Sequence, residues 1–302
     1  FGSSRLGASP FGRRFLVRRR LRARGDARMA GAELQTLTVS PGEGGVYRVE
    51  LSRPDARNAM NFRMWNELWQ VFDALDADGD CRAVVLSARG KSFSAGLDLT
   101  DQGNMPPPAA DIGRRGLKLI NHISVMQDGV SAVERCLKPT IVVVHGACVG
   151  AGVDLITACD IRLCSADAFF SIKEAAVGLA ADVGTLARLP KIVGNDSLVR
   201  ELALTARNFH AEEAKTFGLV SRVLPSADEA LRDALAMAQG IAAHSPVAIV
   251  GTKKNLNYAR DHTVAESLDY VKTWNACMLQ TEDMNKAMAA AFKKAKPSFS
   301  KL

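Results

Sequence analysis

The sequence has no Cys-x-x-Cys pair and no histidine cluster, although it contains six cysteines and five histidines in 302 residues. That scatter excludes the usual zinc and disulfide frameworks. Cysteines set inside apolar runs, such as Cys148 and Cys164, read instead as small hydrophobes in a reducing compartment. No uncharged apolar run approaches the roughly 20 residues that a membrane span needs. The glycine turns match neither Gly-x-Gly-x-x-Gly nor Gly-x-x-x-x-Gly-Lys-Ser/Thr, so dinucleotide and nucleoside-triphosphate sites lose support.

A basic binding face is also missing, despite a net charge of +7. Residues 1–28 hold nine arginines and one acid, Asp26, which leaves the rest of the chain close to neutral. Nucleic-acid recognition by the body is therefore not expected. The segment reads as a mitochondrial-type presequence, or as sequence upstream of a start at Met29-Ala30. At the other end stand Ser300-Lys301-Leu302, a receptor-read peroxisomal address when terminal. The expected location is the peroxisome, reached through its import receptor, with the mitochondrion as the alternative if residues 1–28 are a genuine presequence.

What is present suits an α/β protein with a helical end portion. A half-buried strand is predicted over Gly45–Leu51 and a helix over Met64–Leu75, with Trp65 and Trp69 read as core. Continuous apolar runs at Arg82–Ala88 and Thr140–His145 predict strands covered on both faces. A long helix is expected over Ile112–Cys136, short strands at Ile161–Leu163, Phe169–Ile172 and Gly218–Leu224, and helices over Leu198–Arg207, Ala211–Phe217, Asp228–Ala243, Pro246–Ala259 and Val264–Lys294. These divide the chain into a basic segment, 1–35, an α/β core, 36–224, and a helical portion, 225–302.

Two glycine-containing turns, Ser94–Leu99 and Val149–Asp154, are each expected to follow a buried strand and open a helix, presenting free N–H groups to a crevice. Either alone is equally well explained by tight packing. Three acids then stand in apolar surroundings: Asp154, Glu174 and Asp182. Burying an ionised carboxylate costs several kcal/mol unless it is paired or neutralised. A single such acid reads best as a helix cap or ion-pair member, but three beside two glycine turns favour a proton-transfer site.

The run Val144-His145-Gly146-Ala147-Cys148-Val149-Gly150-Ala151-Gly152-Val153-Asp154-Leu155, with Lys91–Leu99 and Arg53–Met60, resembles the crotonase (enoyl-CoA hydratase/isomerase) superfamily. Asp167–Glu174, Val177–Leu186 and Ala265–Val271 are most similar to its dienoyl-CoA isomerase branch. The resemblance implies a ββα spiral core with helical C-terminal portion, an acyl-CoA substrate and isomerisation of 3,5-dienoyl-CoA to 2,4-dienoyl-CoA. It implies oxyanion donors at the N–H groups of Leu97 and Ala151, and substrate contacts along Ala95, Gly96, Leu97, Asp98 and Leu99. It makes Glu174 and Asp182 the proton-transfer pair, with Asp154 a third acid. It also implies a homotrimer or homohexamer and no cofactor, coenzyme A being part of the substrate. Ala151 departs from the family's usual glycine, and Ala176 from an acid. The alternatives are an enoyl-CoA hydratase on the same fold and a catalytically silent RNA-binding relative.

Overall fold

Every residue of Ala83–Ala88 and Thr140–Val144 is buried, as apolar runs without polar alternation require. They form the middle of a six-stranded sheet in the computed structural model, which describes residues 34–105 and 108–302. The basic segment expected over 1–35 lies almost wholly outside the described residues. In chain order the strands are β1 (Leu37–Pro41), β2 (Val46–Leu51), β3 (Ala83–Ala88), β4 (Thr140–Val144), β5 (Ala147–Val149), β6 (Ile161–Ser165), β7 (Phe169–Ser171), β8 (Phe209–His210) and β9 (Arg222–Leu224). The main sheet runs β1-β2-β3-β4-β6-β9, parallel except for β1, and a second sheet runs β5-β7-β8. The sequence reading missed β1, a short edge strand ended by Pro41, a residue tolerated there because an edge has unused donor positions.

The helices are α1 (Phe62–Ala77), α2 (Ile112–Arg135), α3 (Ala151–Thr157), α4 (Thr185–Val193), α5 (Asp196–Thr205), α6 (Ala211–Thr216), α7 (Ala227–Ala242), α8 (Pro246–Ala259), α9 (Val264–Met278) and α10 (Glu282–Phe292). Alternation along the strands sends Val49, Val84, Leu86, Val142 and Val144 into one core, shared with Met64, Trp65, Leu68 and Phe72 of α1 and Val130 and Val133 of α2. Each fully buried side chain of this kind contributes about 1.5–3 kcal/mol. The opposite face sends Val46, Ala83, Val85, Ile141 and Val143 against Ala230, Ala234 and Ala238 of α7. Small residues every fourth position let that helix lie close on the sheet. Five cysteines are buried and Cys277 is exposed.

Strands β5 and β8 were also unexpected, and further elements differ from expectation. The strand expected over 218–224 shrinks to β9, because the N–H groups of Gly218 and Leu219 close the end of α6 instead. The helix expected over 264–294 is two helices, α9 entered through a Thr263–Glu266 capping box and α10 through Thr281. Helix α4 was not anticipated. Among the described residues no single helix is long and apolar enough to cross a membrane.

Candidate active site

The segment after β3 is held by Asn58, which adopts the left-handed conformation that asparagine tolerates (φ 53°). Its Nδ2 donates to the carbonyls of Arg89 (2.8 Å) and Ser92 (2.9 Å), its Oδ1 accepts from the Arg53 N–H (2.8 Å), and its own carbonyl accepts from Ser94 Oγ (2.9 Å). The segment then zips onto β5: Ser94 N–H donates to Ala147 O (3.0 Å) and Val149 N–H to Ser94 O (3.0 Å). Ala95 N–H donates to Arg57 O, Gly96 N–H to Ser94 Oγ and Asp98 N–H to Met60 O. Leu97 N–H alone of these four has no partner among the described residues.

This turn does not open a helix as the sequence suggested; it runs on to a short 3-10 turn, Gln102–Asn104. Asp98 is nearly buried and spends its carboxylate on Thr100 and on Arg53, 2.9 Å away. The Thr100 hydroxyl, with Arg53, holds that carboxyl below its usual range in spite of burial. Leu99 is 59% exposed.

The second turn does open a helix, α3. Gly150 has φ 50° and ψ −115°, a backbone that L side chains avoid, and a β-carbon there would stand 3.1 Å from Glu174 Oε1. Ala151 N–H, in the first turn of α3, has no partner among the described residues. The two turns touch: a β-carbon on Gly96 would meet Val149 O at 2.9 Å and Ala151 N at 3.8 Å. Two unpaired backbone donors thus lie on adjoining turns.

The acids differ in burial. Asp154, on α3, is 1% exposed, and its Oδ1 accepts from Thr185 N–H at 2.5 Å. Burial pushes its carboxyl up to about 6, with the charge of Asp182 adding to the effect and Thr185 and Arg188 opposing it. Glu174 follows β7 and starts a 3-10 turn, Glu174–Val177. Burial, then the negative charge of Asp154 and of Asp182, pushes it up to about 7. Its Oε2 is buried without a hydrogen-bond partner among the described residues. Asp182 is an exposed residue whose partly shielded carboxyl is raised by desolvation. The expectation of three buried acids therefore holds fully for Asp154 alone. The apolar run around Asp182 is only partly core: Val183 is buried, whereas Leu179, and Leu186 at the start of α4, are 41% and 43% exposed.

Glu174 senses the charge of Asp154 and Asp182, and Asp154 that of Asp182, so at neutral pH one can be protonated while another is ionised. Sequence reasoning did not single out Arg53 or Asn58 within the early turn, nor Gln127, whose Nε2 donates to Asp182 O (2.6 Å), nor Arg188. Their partners lie 5 to 57 residues away. Arg53 and Asn58 fall inside the Arg53–Met60 run, but no local pattern marks what they hold, and none marks Gln127 or Arg188.

The Enoyl-CoA hydratase/isomerase family model matches residues 42–301. The chain belongs to that family. Among family members, the rat protein named Delta(3,5)-Delta(2,4)-dienoyl-CoA isomerase, mitochondrial, is 51% identical over 86% of this chain and 80% of its own. The Arabidopsis thaliana protein named Delta(3,5)-Delta(2,4)-dienoyl-CoA isomerase, peroxisomal, is 44% identical over 86% of this chain and 94% of its own. The crystal structure of a putative enoyl-CoA hydratase from Streptomyces coelicolor superposes with a TM-score of 0.80 at 29% identity, covering 89% of this chain and 95% of that one. The crotonase-type α/β fold with a helical C-terminal portion is thereby shared across the family. Relatives carry both mitochondrial and peroxisomal names.

Proposed function

We propose that this protein isomerises 3,5-dienoyl-CoA to 2,4-dienoyl-CoA by a carboxylate-mediated 1,5 proton shift, as a step in the β-oxidation of unsaturated fatty acids. The observation that carries the reading is Glu174 Oε2, buried and unpaired beside Gly150 and within the field of two further acids. The 51% identity to a protein of that name supports the same reaction.

Removing a proton from C2 places negative charge on the thioester oxygen. The N–H groups of Leu97 and Ala151 would receive that oxygen, and losing one such donor typically raises the barrier by about 2.7–4 kcal/mol. Ala95, Gly96, Asp98 and Leu99 shape the turn that aims Leu97. The dienolate then takes a proton at C6. Glu174 and Asp182 form the pair that accepts and delivers these protons, and Asp154 tunes their charge. Asp182, on the exposed loop, gives a second proton site away from the buried Asp154. The shift requires neither a metal nor a redox cofactor, and coenzyme A is part of the substrate.

Product identification from synthetic 3,5-dienoyl-CoA tests the proposal. The expected result is rapid absorbance gain as the diene conjugates with the thioester, with hydration of crotonyl-CoA slower by at least about a hundredfold, or roughly 2.7 kcal/mol of barrier. Efficient hydration without dienoyl isomerisation would leave only family membership standing.

The exposed Val264, Leu268, Leu279, Met284 and Phe292 of the C-terminal helices supply apolar surface for a homotrimer or homohexamer. If Leu302 carries the chain's carboxyl terminus, Ser300-Lys301-Leu302 supports a peroxisomal location through the import receptor. The near-neutral body argues against a nucleic-acid partner, and salt-sensitive RNA binding would contradict that.

A further inference from the structure

Asp182 itself is held lightly, although Val183 beside it is buried in the main core. The Asp182 backbone carbonyl is tied to Gln127, yet the residue is exposed and its flanking leucines are uncovered. Three residues later the chain must deliver Thr185 N–H to Asp154 Oδ1 at 2.5 Å. The link between the two acids is therefore Val183-Gly184.

One side chain braces that link. Arg188 of α4 is 11% exposed and donates through Nη2 to Ser131 Oγ (2.9 Å) and Glu134 Oε2 (3.0 Å), both on α2. Its Nη1 faces Val183 O at 3.5 Å. Gly184 has φ 149°, and any β-carbon there would overlap that same nitrogen, so backbone and guanidinium are in direct contact. We propose that Arg188 is a positioning residue for the three-acid site, bracing Val183-Gly184 against α2 so that Asp182 and Asp154 keep a fixed separation. This rests on the reading of those acids given under Proposed function.

The charges around Arg188 fit such a role. From α2 comes Glu134, which is shared: Arg260, beyond α8, takes its Oε1 at 2.6 Å. Against its burial, these two guanidiniums hold Glu134 below the usual carboxylate range. From α4 itself Lys191 is spent on Asp261, which also lies near Arg260. From α3 comes Asp154, and from the loop Asp182. Glu134 is thus shared between two guanidiniums, and Arg188 favours the ionised form of Asp154.

Arg188→Lys keeps the charge and loses the forked geometry; Arg188→Gln keeps a donor and loses the charge. Turnover across pH, thermal midpoints and a 13C-carboxyl titration of Asp154 in the substrate-free protein separate the outcomes. Arg188→Lys should lower kcat about tenfold with KM within about twofold and leave the ascending limb of the pH profile in place. Arg188→Gln should lose more and move both that limb and the Asp154 titration to higher pH. Wild-type kcat in either variant overturns the proposal, as does an equal loss in both with an unmoved profile and a matching fall in thermal midpoint. A wild-type protein that does not turn over 3,5-dienoyl-CoA overturns the proposed function instead. The Asp154 titration then decides alone, and an unmoved titration in Arg188→Gln overturns the role of Arg188.

Discussion

The two walls of the candidate site are built on opposite plans. On the Leu97 side, Asn58, Ser94, Arg53 and Thr100 satisfy the neighbouring polar groups and leave one N–H over. On the acid side, Glu174 keeps a buried oxygen without a partner, and Asp182 rides on an exposed loop. A donor that must meet developing charge works best when it is immobile before the reaction. A group that must gain and lose a proton works best when neither form is locked by hydrogen bonds. The contrast separates a preorganised wall from a titratable one.

The comparison breaks most sharply on the titratable wall. Glu174→Gln and Asp182→Asn keep shape and remove the exchangeable proton, and each should lower isomerisation about a thousandfold in a folded protein that still binds coenzyme A. Steady-state rates with circular dichroism check this; a loss of only a few fold would remove that residue from the central role.

Asp154 belongs to both walls, since it is buried and hydrogen-bonded yet pushed up to about 6. Its folded value lies above the unfolded one, so the unfolded chain ionises first as pH rises. Stability should fall between about pH 4 and 6 and stay lowered above that window. Asp154→Asn keeps an oxygen for Thr185 N–H and should raise stability at pH 7 by on the order of 3 kcal/mol, with no gain below about pH 4. Denaturant melts at the two pH values measure it. Isomerisation should drop less than in the Glu174 or Asp182 variants.

The smallest effect is expected on the preorganised wall. Asn58→Ala strands two carbonyls and one N–H and should destabilise by about 2 kcal/mol, with a fall in kcat from the loosened Leu97 turn. A lower denaturant midpoint with unchanged kcat would show that Leu97 keeps its place without Asn58.

Much of this was legible in the sequence wherever the signal was local. Apolar runs marked β3 and β4, helical spacing marked α1, and the Gly150–Asp154 turn opened α3 as expected. Family-specific runs pointed to Glu174 and Asp182 as the proposed proton-transfer pair. What was not legible depends on distant partners. Asn58 reaches Arg89 and Ser92, and Arg188 reaches Ser131 and Glu134. The burial of Asp182 was misjudged for a related reason: an apolar run reads as core, and only tertiary placement shows Asp182 on the surface.

The hydrogen bonds that fix the Leu97 turn also constrain when it can exist. Asn58 pairs with residues 31 and 34 positions onward, and Ser94 waits for Ala147 and Val149 of β5. Each contact closes a long loop, whose entropy must be met before the contact returns anything. The turn is therefore a late product of folding. A chain emerging from the ribosome has the sequence of both β2 and β3 well before the partners that fix the Leu97 turn, so partly synthesised chains carry those segments without the proposed donor in place.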